Sequence, residues 1–269
     1  MPVSPVPFGR VRELFDEQVR RGTARDGTGS EVTSTNEVVR WCADGDLGWS
    51  EIAWSNLDES NADVVIGQQV EFFAAKGLGF AWRVVDTDSP TDLGARLERA
   101  GFEFVGTSEL MIARVTDVPL DVALPPGVTL SRESGPAAID RLIEVHERVF
   151  GIDHSQLRRS LLLQLTSSPQ LGELVVAMAE GVPVASSRVD FLPDREFAGL
   201  WGGSTLPEWR GKGLFRAMVA HRSREAAIRG YSYVYVIASS ESQPIFTRLS
   251  FESYGSVRTY MWRPPATSP

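Results

Sequence analysis

The segment Leu206-Pro207-Glu208-Trp209-Arg210-Gly211-Lys212-Gly213 constrains this chain more than any other, because it joins two runs of different periodicity. Before it, Phe197 to Thr205 is short, aromatic and glycine-containing, and reads as a strand that stops at the loop. After it, Leu214, Phe215, Met218, Val219 and Ala226 predict a helix from Gly213 to Ile228, ended by Gly230. Glycines at such a junction let a ligand approach bare backbone N–H groups at a helix start, which suits the diffuse charge of a pyrophosphate. Arg210, Lys212 and Arg216 add positive charge nearby. The pattern is neither a Walker loop nor a dinucleotide fingerprint, so nucleotide hydrolysis is not expected.

The elements around this junction follow a definite order. Ile139, Leu142, Ile143, Val145 and Val149 predict an amphipathic helix from Gly135 to Phe150, closed by Gly151. Leu157, Leu161, Leu162 and Leu165 predict a second from Ser155. Leu174 to Glu180 and Val182 to Phe191 form a hairpin about Glu180-Gly181. Tyr231 to Ser239 is apolar on both faces, which marks a strand buried on both sides. A short helix from Gln243 to Leu249 and a strand from Tyr254 to Trp262 complete the half.

The amino-terminal half echoes this order, with helices at Val64 to Lys76 and Thr91 to Ala100 and strands at Phe80 to Val85 and Phe104 to Val115. Ala-Ala-Lys-Gly at 74 to 77 parallels Ala-Ala-Ile-Arg-Gly at 226 to 230, and Arg96 to Phe102 parallels Thr247 to Phe251. Duplication of a whole domain fits such a long period better than a solenoid does. Pro119, Pro125 and Pro126 place the boundary between Thr116 and Gly127, giving domains over 1–120 and 125–269. Gly22 to Thr35, rich in Gly, Ser, Thr and Asp, reads as a mobile surface loop, and the tail after Trp262 as loose.

With 269 residues, two modest domains are the better expectation. No segment reaches the roughly 18 uncharged apolar residues of a membrane helix, and the start MPVSPVPFGR is no secretory signal. Cys42 stands alone, so a cytoplasmic location with no internal disulfide is expected. A net charge of −8 argues against a nucleic-acid partner. The tryptophans suit core or interdomain contacts better than a base-stacking platform. One cysteine and three separated histidines exclude a metal site of ordinary spacing.

Arg210 to Phe215 resembles the Arg/Gln-x-x-Gly-x-Gly/Ala loop of the GNAT acetyltransferases, and residues 128 to 262 follow that family's order of elements. The resemblance implies an α/β (α+β) fold of two tandem GNAT-like domains, each a mixed, centrally splayed sheet flanked by helices. It implies that acetyl-CoA is the cosubstrate, with its pyrophosphate on the amides of Gly211, Lys212, Gly213, Leu214 and Phe215 and with Arg210 opening the loop. Leu206, Ser242 and Phe246 would complete the coenzyme's surroundings. Phe215 departs from the pattern, which has a small residue there. In the first half the matching stretch, Asn56 to Gly67, carries Asp58, Glu59 and Asp63 and would repel the coenzyme. That domain is expected to keep the fold without the ligand and to wall the acceptor pocket, pair with the second domain, or form a homodimer.

The resemblance further implies acetyl transfer to a primary amine of a small molecule by direct attack in a cleft between two parted strands, Phe197 to Thr205 and Tyr231 to Ser239. A backbone N–H near Gly203 or Ser204 would face the developing oxyanion. The family's usual phenolic acid is replaced here by Phe246. Ser239, Ser240 and Ser242 are left as donors through water, although helix capping suits them better. Glu196 is the candidate base, beside the alternative that it is simply solvated, and Asp190 is a weaker candidate. His146 and His154 lie where this fold lines its acceptor pocket, while His221 reads as structural. A different class of protein, a non-catalytic acyl-CoA-binding or interaction module, stands as the alternative.

Overall fold

The computed structural model describes residues 7–45, 49–131 and 135–265. In chain order its elements are α1 (Phe8–Phe15), β1 (Glu31–Ser34), β2 (Val38–Cys42), β3 (Glu51–Ser55), α2 (Ala62–Lys76), β4 (Phe80–Val85), α3 (Leu93–Arg99) and β5 (Glu103–Arg114). There follow β6 (Val128–Ser131), α4 (Pro136–Phe150), α5 (Ser155–Ser167), β7 (Gly172–Ala179), β8 (Val182–Asp190), β9 (Phe197–Thr205), α6 (Leu214–Ile228), β10 (Tyr233–Ala238), α7 (Gln243–Thr247) and β11 (Glu252–Trp262). No helix among the described residues is long and apolar enough to cross a membrane.

Two compact units emerge, and they do not divide the chain at residues 120–125. One takes the chain up to Thr23, Ser30–Ser108 and everything from Tyr254; the other takes Ala24–Gly29 and Glu109–Ser253. The proline-marked stretch after Thr116 is no free linker, because Val118 is buried in the core of the second unit with Val219 and Phe251. The tail expected to be loose lies outside the described residues from 266 on.

The first unit is a mixed sheet in the order β1-β2-β3-β4-β11, antiparallel except for the β3–β4 pair. Its core gathers Trp82 and Phe80 of β4, Phe73 of α2, Leu93 and Leu97 of α3, and Tyr260 and Trp262 of β11. The expectation of a loop over Gly22 to Thr35 fails at its end, where Glu31–Ser34 is β1 and pairs with β2. Polar side chains there do not prevent ladder formation, since pairing satisfies backbone groups whatever the side chains.

The second unit is a mixed sheet in the order β5-β10-β9-β8-β7-β6, with only β10–β9 parallel. Glu180 and Gly181, both at positive φ, close the β7–β8 hairpin as expected. Helices lie on both faces. Leu174, Arg188 and Trp201 share one face through their pairing, and there Leu174 packs with Ile139 and Leu142 of α4 and Leu161 of α5. Val189 and Leu200 share the other, packed with Val219 and Ala226 of α6 and Phe246 of α7. α4 begins at Gly135-Pro136 and ends at Gly151 in the left-handed region, which matches the sequence reading.

Candidate active site at the parting of β9 and β10

β9 and β10 pair only at Phe197 with Tyr233, Ala198 with Val234 and Gly199 with Tyr235. Beyond that point each keeps its outer neighbour, β9 pairing with β8 as far as Thr205 and β10 with β5 as far as Ala238. The inner edges therefore separate where the sequence reading put the cleft. Side chains account for the position. The Trp201 and Tyr235 rings meet edge to face at 5.7 Å over Gly199, where an added Cβ would come within 2.6 Å of the Trp201 ring nitrogen.

At the end of β9 the chain makes a short turn over Pro207–Trp209, and Arg210 donates from Nε to the Thr205 carbonyl at 3.2 Å. Gly211 and Gly213 have φ of +75° and +86°, a conformation costly for any side chain. α6 then starts with no side-chain cap on its first N–H groups, since Gly213 offers none. A helix start leaves such donors without intrahelical partners, and the dipole adds partial positive charge. Lys212 stands over the Trp209 ring at 4.4 Å, and the Arg216 guanidinium lies beside Gly213. A Cβ added at Gly211 would meet nothing within 4 Å.

Phe215, on the first turn of α6, lies against Gly203 of β9 and meets Phe246 edge to face at 5.5 Å. Phe246 is buried and also touches Phe251. The large side chain of Phe215 is thus accommodated by the absence of one at Gly203 and by the ring of Phe246.

β9 carries a bulge beside this contact. Ser186 pairs with Ser204 and Arg188 with Trp201, so Gly202 and Gly203 together face the single residue Ser187. Gly202 has φ of +58°. Its carbonyl accepts a hydrogen bond from His146 Nε2 of α4 at 2.9 Å, so the imidazole proton sits on Nε2. Burial pushes the His146 imidazole below its usual pKa, with the bond to Gly202 pulling the other way. Phe150 and His154 rings pack on His146 at 5.7 and 5.3 Å, and His154 Nδ1 donates to the Ile152 carbonyl. From the other face Arg222 of α6, almost wholly buried, donates to the carbonyls of Arg188 at 3.1 Å, Trp201 at 3.4 Å and Met218 at 3.1 Å. Burial alone pushes its guanidinium down to about 9.

The other residues singled out from the sequence fall elsewhere. Glu196 is exposed at the closed end of the β9–β10 pair, where its carbonyl accepts from the N–H groups of Ser232 and Tyr233. Gly202 lies six positions further on, about 20 Å along an extended strand, so Glu196 does not stand beside the bulge. Asp190 pairs with Gly199; burial raises its carboxyl pKa, and Arg188 Nε is 3.7 Å away. Ser239 and Ser242 hydrogen-bond one another in the turn before α7, and neither caps that helix through its side chain, contrary to the expectation of helix capping. His221 Nε2 stands 3.3 Å from Glu173 Oε1, a structural contact. Among the described residues no group of three His, Cys, Asp or Glu side chains could hold a metal ion. Arg222 escaped the sequence reading, although Gly202-Gly203 inside a strand is itself the mark of a bulge.

The first unit repeats the arrangement with a different filling. β3 and β4 pair in parallel only at Glu51 with Ala81 and Ile52 with Trp82. At the start of α2, Asp58 Oδ1 accepts from the Ser60 N–H at 2.8 Å, the Ser60 hydroxyl at 2.6 Å and the Asn61 N–H at 3.1 Å. These bonds hold the Asp58 carboxyl below its usual pKa. The chain's own carboxylate thus occupies N–H groups of the turn that leads into α2.

No family model matches the sequence, and no curated protein matches it. Solved structures do. A GCN5-related N-acetyltransferase from Kribbella flavida superposes with a TM-score of 0.70 at 18% identity, covering 98% of this chain and 97% of its own. A functionally unknown conserved protein from Staphylococcus epidermidis gives 0.67 at 13% identity, over 94% and 99% of the two chains. A tandem GNAT protein from the clavulanic acid biosynthesis pathway gives 0.60 at 11% identity, over 86% and 79%. At such identities the likeness is one of fold, and the fold is the GNAT fold.

Proposed function

We propose that this chain, built on the GNAT fold, transfers an acetyl group from acetyl-CoA to a primary amine of a small molecule by direct attack. The observation that carries the reading is the uncapped, doubly glycine-bent start of α6 at the point where β9 and β10 separate. A pyrophosphate would lie on the amides of Gly211 to Phe215, with Arg210, Lys212 and Arg216 supplying charge and Leu206, Ser242 and Phe246 lining the arm beyond. Gly211 supports the fit, because an added Cβ there meets nothing within 4 Å and the approach to its backbone is open. When bound, the coenzyme supplies an acetyl thioester.

The chain's part in the chemistry is to hold the thioester between the strands and to stabilise the charge that grows on its oxygen. The amine nitrogen attacks as the neutral base, the C–N bond forms as the C–S bond breaks, and the amine's surplus proton ends on the departing sulfur. The N–H of Gly203, on the bulge, is the donor for the oxygen. Such donors are worth about 10²- to 10³-fold in rate. Neither a carboxylate nor a phenol is needed at the parting if the amine arrives neutral, and solvent can carry the proton.

A second reading is favoured by one observation: Phe246 is buried where the family's phenol would stand, so the chain could bind acyl-CoA without turning it over. Incubation with acetyl-CoA and a panel of small primary amines, followed by thiol release and mass analysis of the amines, separates the two. Acetylated amine supports transfer; measurable binding with no product from any amine supports the binding module.

A further inference from the structure

We infer that His146 and Arg222 are positioning residues that grip the β9 bulge from opposite faces of the sheet and thereby aim the Gly203 N–H. The inference rests on the acetyltransferase reading for its chemical purpose, though its geometry stands without a ligand. Consecutive carbonyls are held from two sides. Arg222, rising from α6, takes Trp201 O together with Arg188 O, the pair of residues flush with the bulge. His146, descending from α4, takes Gly202 O at 2.9 Å. A bulged residue is freed from the ladder, so nothing in the sheet itself fixes the orientation of the Gly202–Gly203 peptide. That peptide is planar and trans; once its carbonyl is tied to His146, its N–H must point away from α4. Phe215 of α6 stands beside Gly203 there, next to the loop that receives the pyrophosphate.

An apolar residue at 222 would leave the Arg188 and Trp201 carbonyls without this donor, and a buried acceptor without a partner is destabilising, so a stability assay accompanies the test. The Arg222 hydrogen bonds run to the Met218, Arg188 and Trp201 carbonyls, and burial pushes its pKa down to about 9. His146 is likewise buried, with Arg188 and His154 the charged or titratable groups that bear on it.

The test uses the full chain and needs no known acceptor. Acetyl-CoA labelled with ¹³C at the acetyl carbonyl is bound to wild type, H146L, H146Q and R222M, and the carbonyl stretch is read by isotope-edited infrared spectroscopy. Expected is a stretch shifted to lower frequency in wild type, largely kept in H146Q, which retains an N–H donor, and returned towards the free value in H146L and R222M. Acetyl-CoA affinity should change less than about threefold in all variants. An unchanged carbonyl stretch in H146L with binding intact overturns the inference. Amide NMR of the unliganded chain guards against failure of the acetyl-CoA reading itself: the Gly203 N–H signal should move in H146L and not in H146Q. A wild type whose His146 ring carries its proton on Nδ1, read by ¹⁵N couplings, overturns the grip without any variant or ligand.

Discussion

Replacing Gly213 with glutamate separates anion binding from the folding of the loop. Gly213 has φ of +86°, so any side chain there costs about 1 to 2 kcal/mol of backbone strain. Space is not the obstacle, because an added Cβ would have Arg216 Nη2 at 3.5 Å, an ordinary contact. Gly213→Ala therefore measures strain alone, and Gly213→Glu adds a negative charge at the helix start. At about 6 Å and an effective dielectric of about 40, a carboxylate and a doubly charged pyrophosphate repel by about 3 kcal/mol. Calorimetry should show acetyl-CoA affinity falling about a hundredfold further in Gly213→Glu than in Gly213→Ala, with similar Tm for the two. Raising the salt to about 1 M should recover part of the difference, since the screening length shrinks to about 3 Å. Equal affinity in the two variants, whatever their Tm, would refute the placement of the pyrophosphate.

Gly203→Ala puts a Cβ within 2.8 Å of the Phe215 ring and should cost about 1 to 3 kcal/mol in urea unfolding; Phe215→Ala in the same chain should restore most of it. In the first unit Arg20 and Asp88 form a paired-oxygen bridge at 2.7 and 3.0 Å with both side chains under 10% exposed. Asp88→Asn leaves a buried guanidinium short of its main counter-charge and should cost about 3 kcal/mol by the same assay, whereas a loss under 1 kcal/mol would show the pair to be dispensable. His146 titrates below its unfolded value of about 6.5, so the unfolded chain binds the extra proton first. Its contribution to stability is complete above about pH 6.5 and is lost as pH falls through the folded value; the wild-type minus H146Q difference in urea midpoint should shrink over that range and stay flat above it.

Much of the second unit was legible because its cues are local. Gly135-Pro136 and Gly151 bracket α4, Glu180-Gly181 closes the hairpin, and the two-faced apolar run of β10 can only be an interior strand. The parting of β9 from β10 came only through the family resemblance, since the Trp201–Tyr235 contact over Gly199 joins residues far apart in the chain. What escaped depends on partners far along the chain. β1 hides in a polar stretch and exists because β2 offers it a ladder. β11 was legible as a strand, but its pairing with β4 is decided by Tyr260 and Trp262 finding Phe80, Trp82 and Phe102. Nothing near Trp262 encodes that choice. The grip on Gly202 joins residues 56 and 20 positions away, His146 and Arg222, whose own neighbourhoods read as ordinary helix.

The two units show how little sequence it takes to change what one scaffold presents to an anion. Each leads a strand out of a parallel pair into the start of a helix, and each helix start has N–H donors that need an acceptor. In the first unit the Asp58 carboxylate, held ionised by the same bonds, takes the N–H groups of Ser60 and Asn61 in the turn that precedes α2. An incoming phosphate would have to displace a charge of its own sign that costs no translational entropy to keep in place. In the second unit Gly211 and Gly213 bend the turn at positive φ and carry no side-chain acceptor, and Arg210, Lys212 and Arg216 stand near them with Glu208. Removing Asp58 alone would therefore open donors in the first unit without creating the cationic rim, because Glu59 and Asp63 remain beside them. A helix start becomes an anion site by what the preceding residues refrain from offering as much as by the dipole, and that distinction was written in the difference between NLDESN and LPEWRGKG.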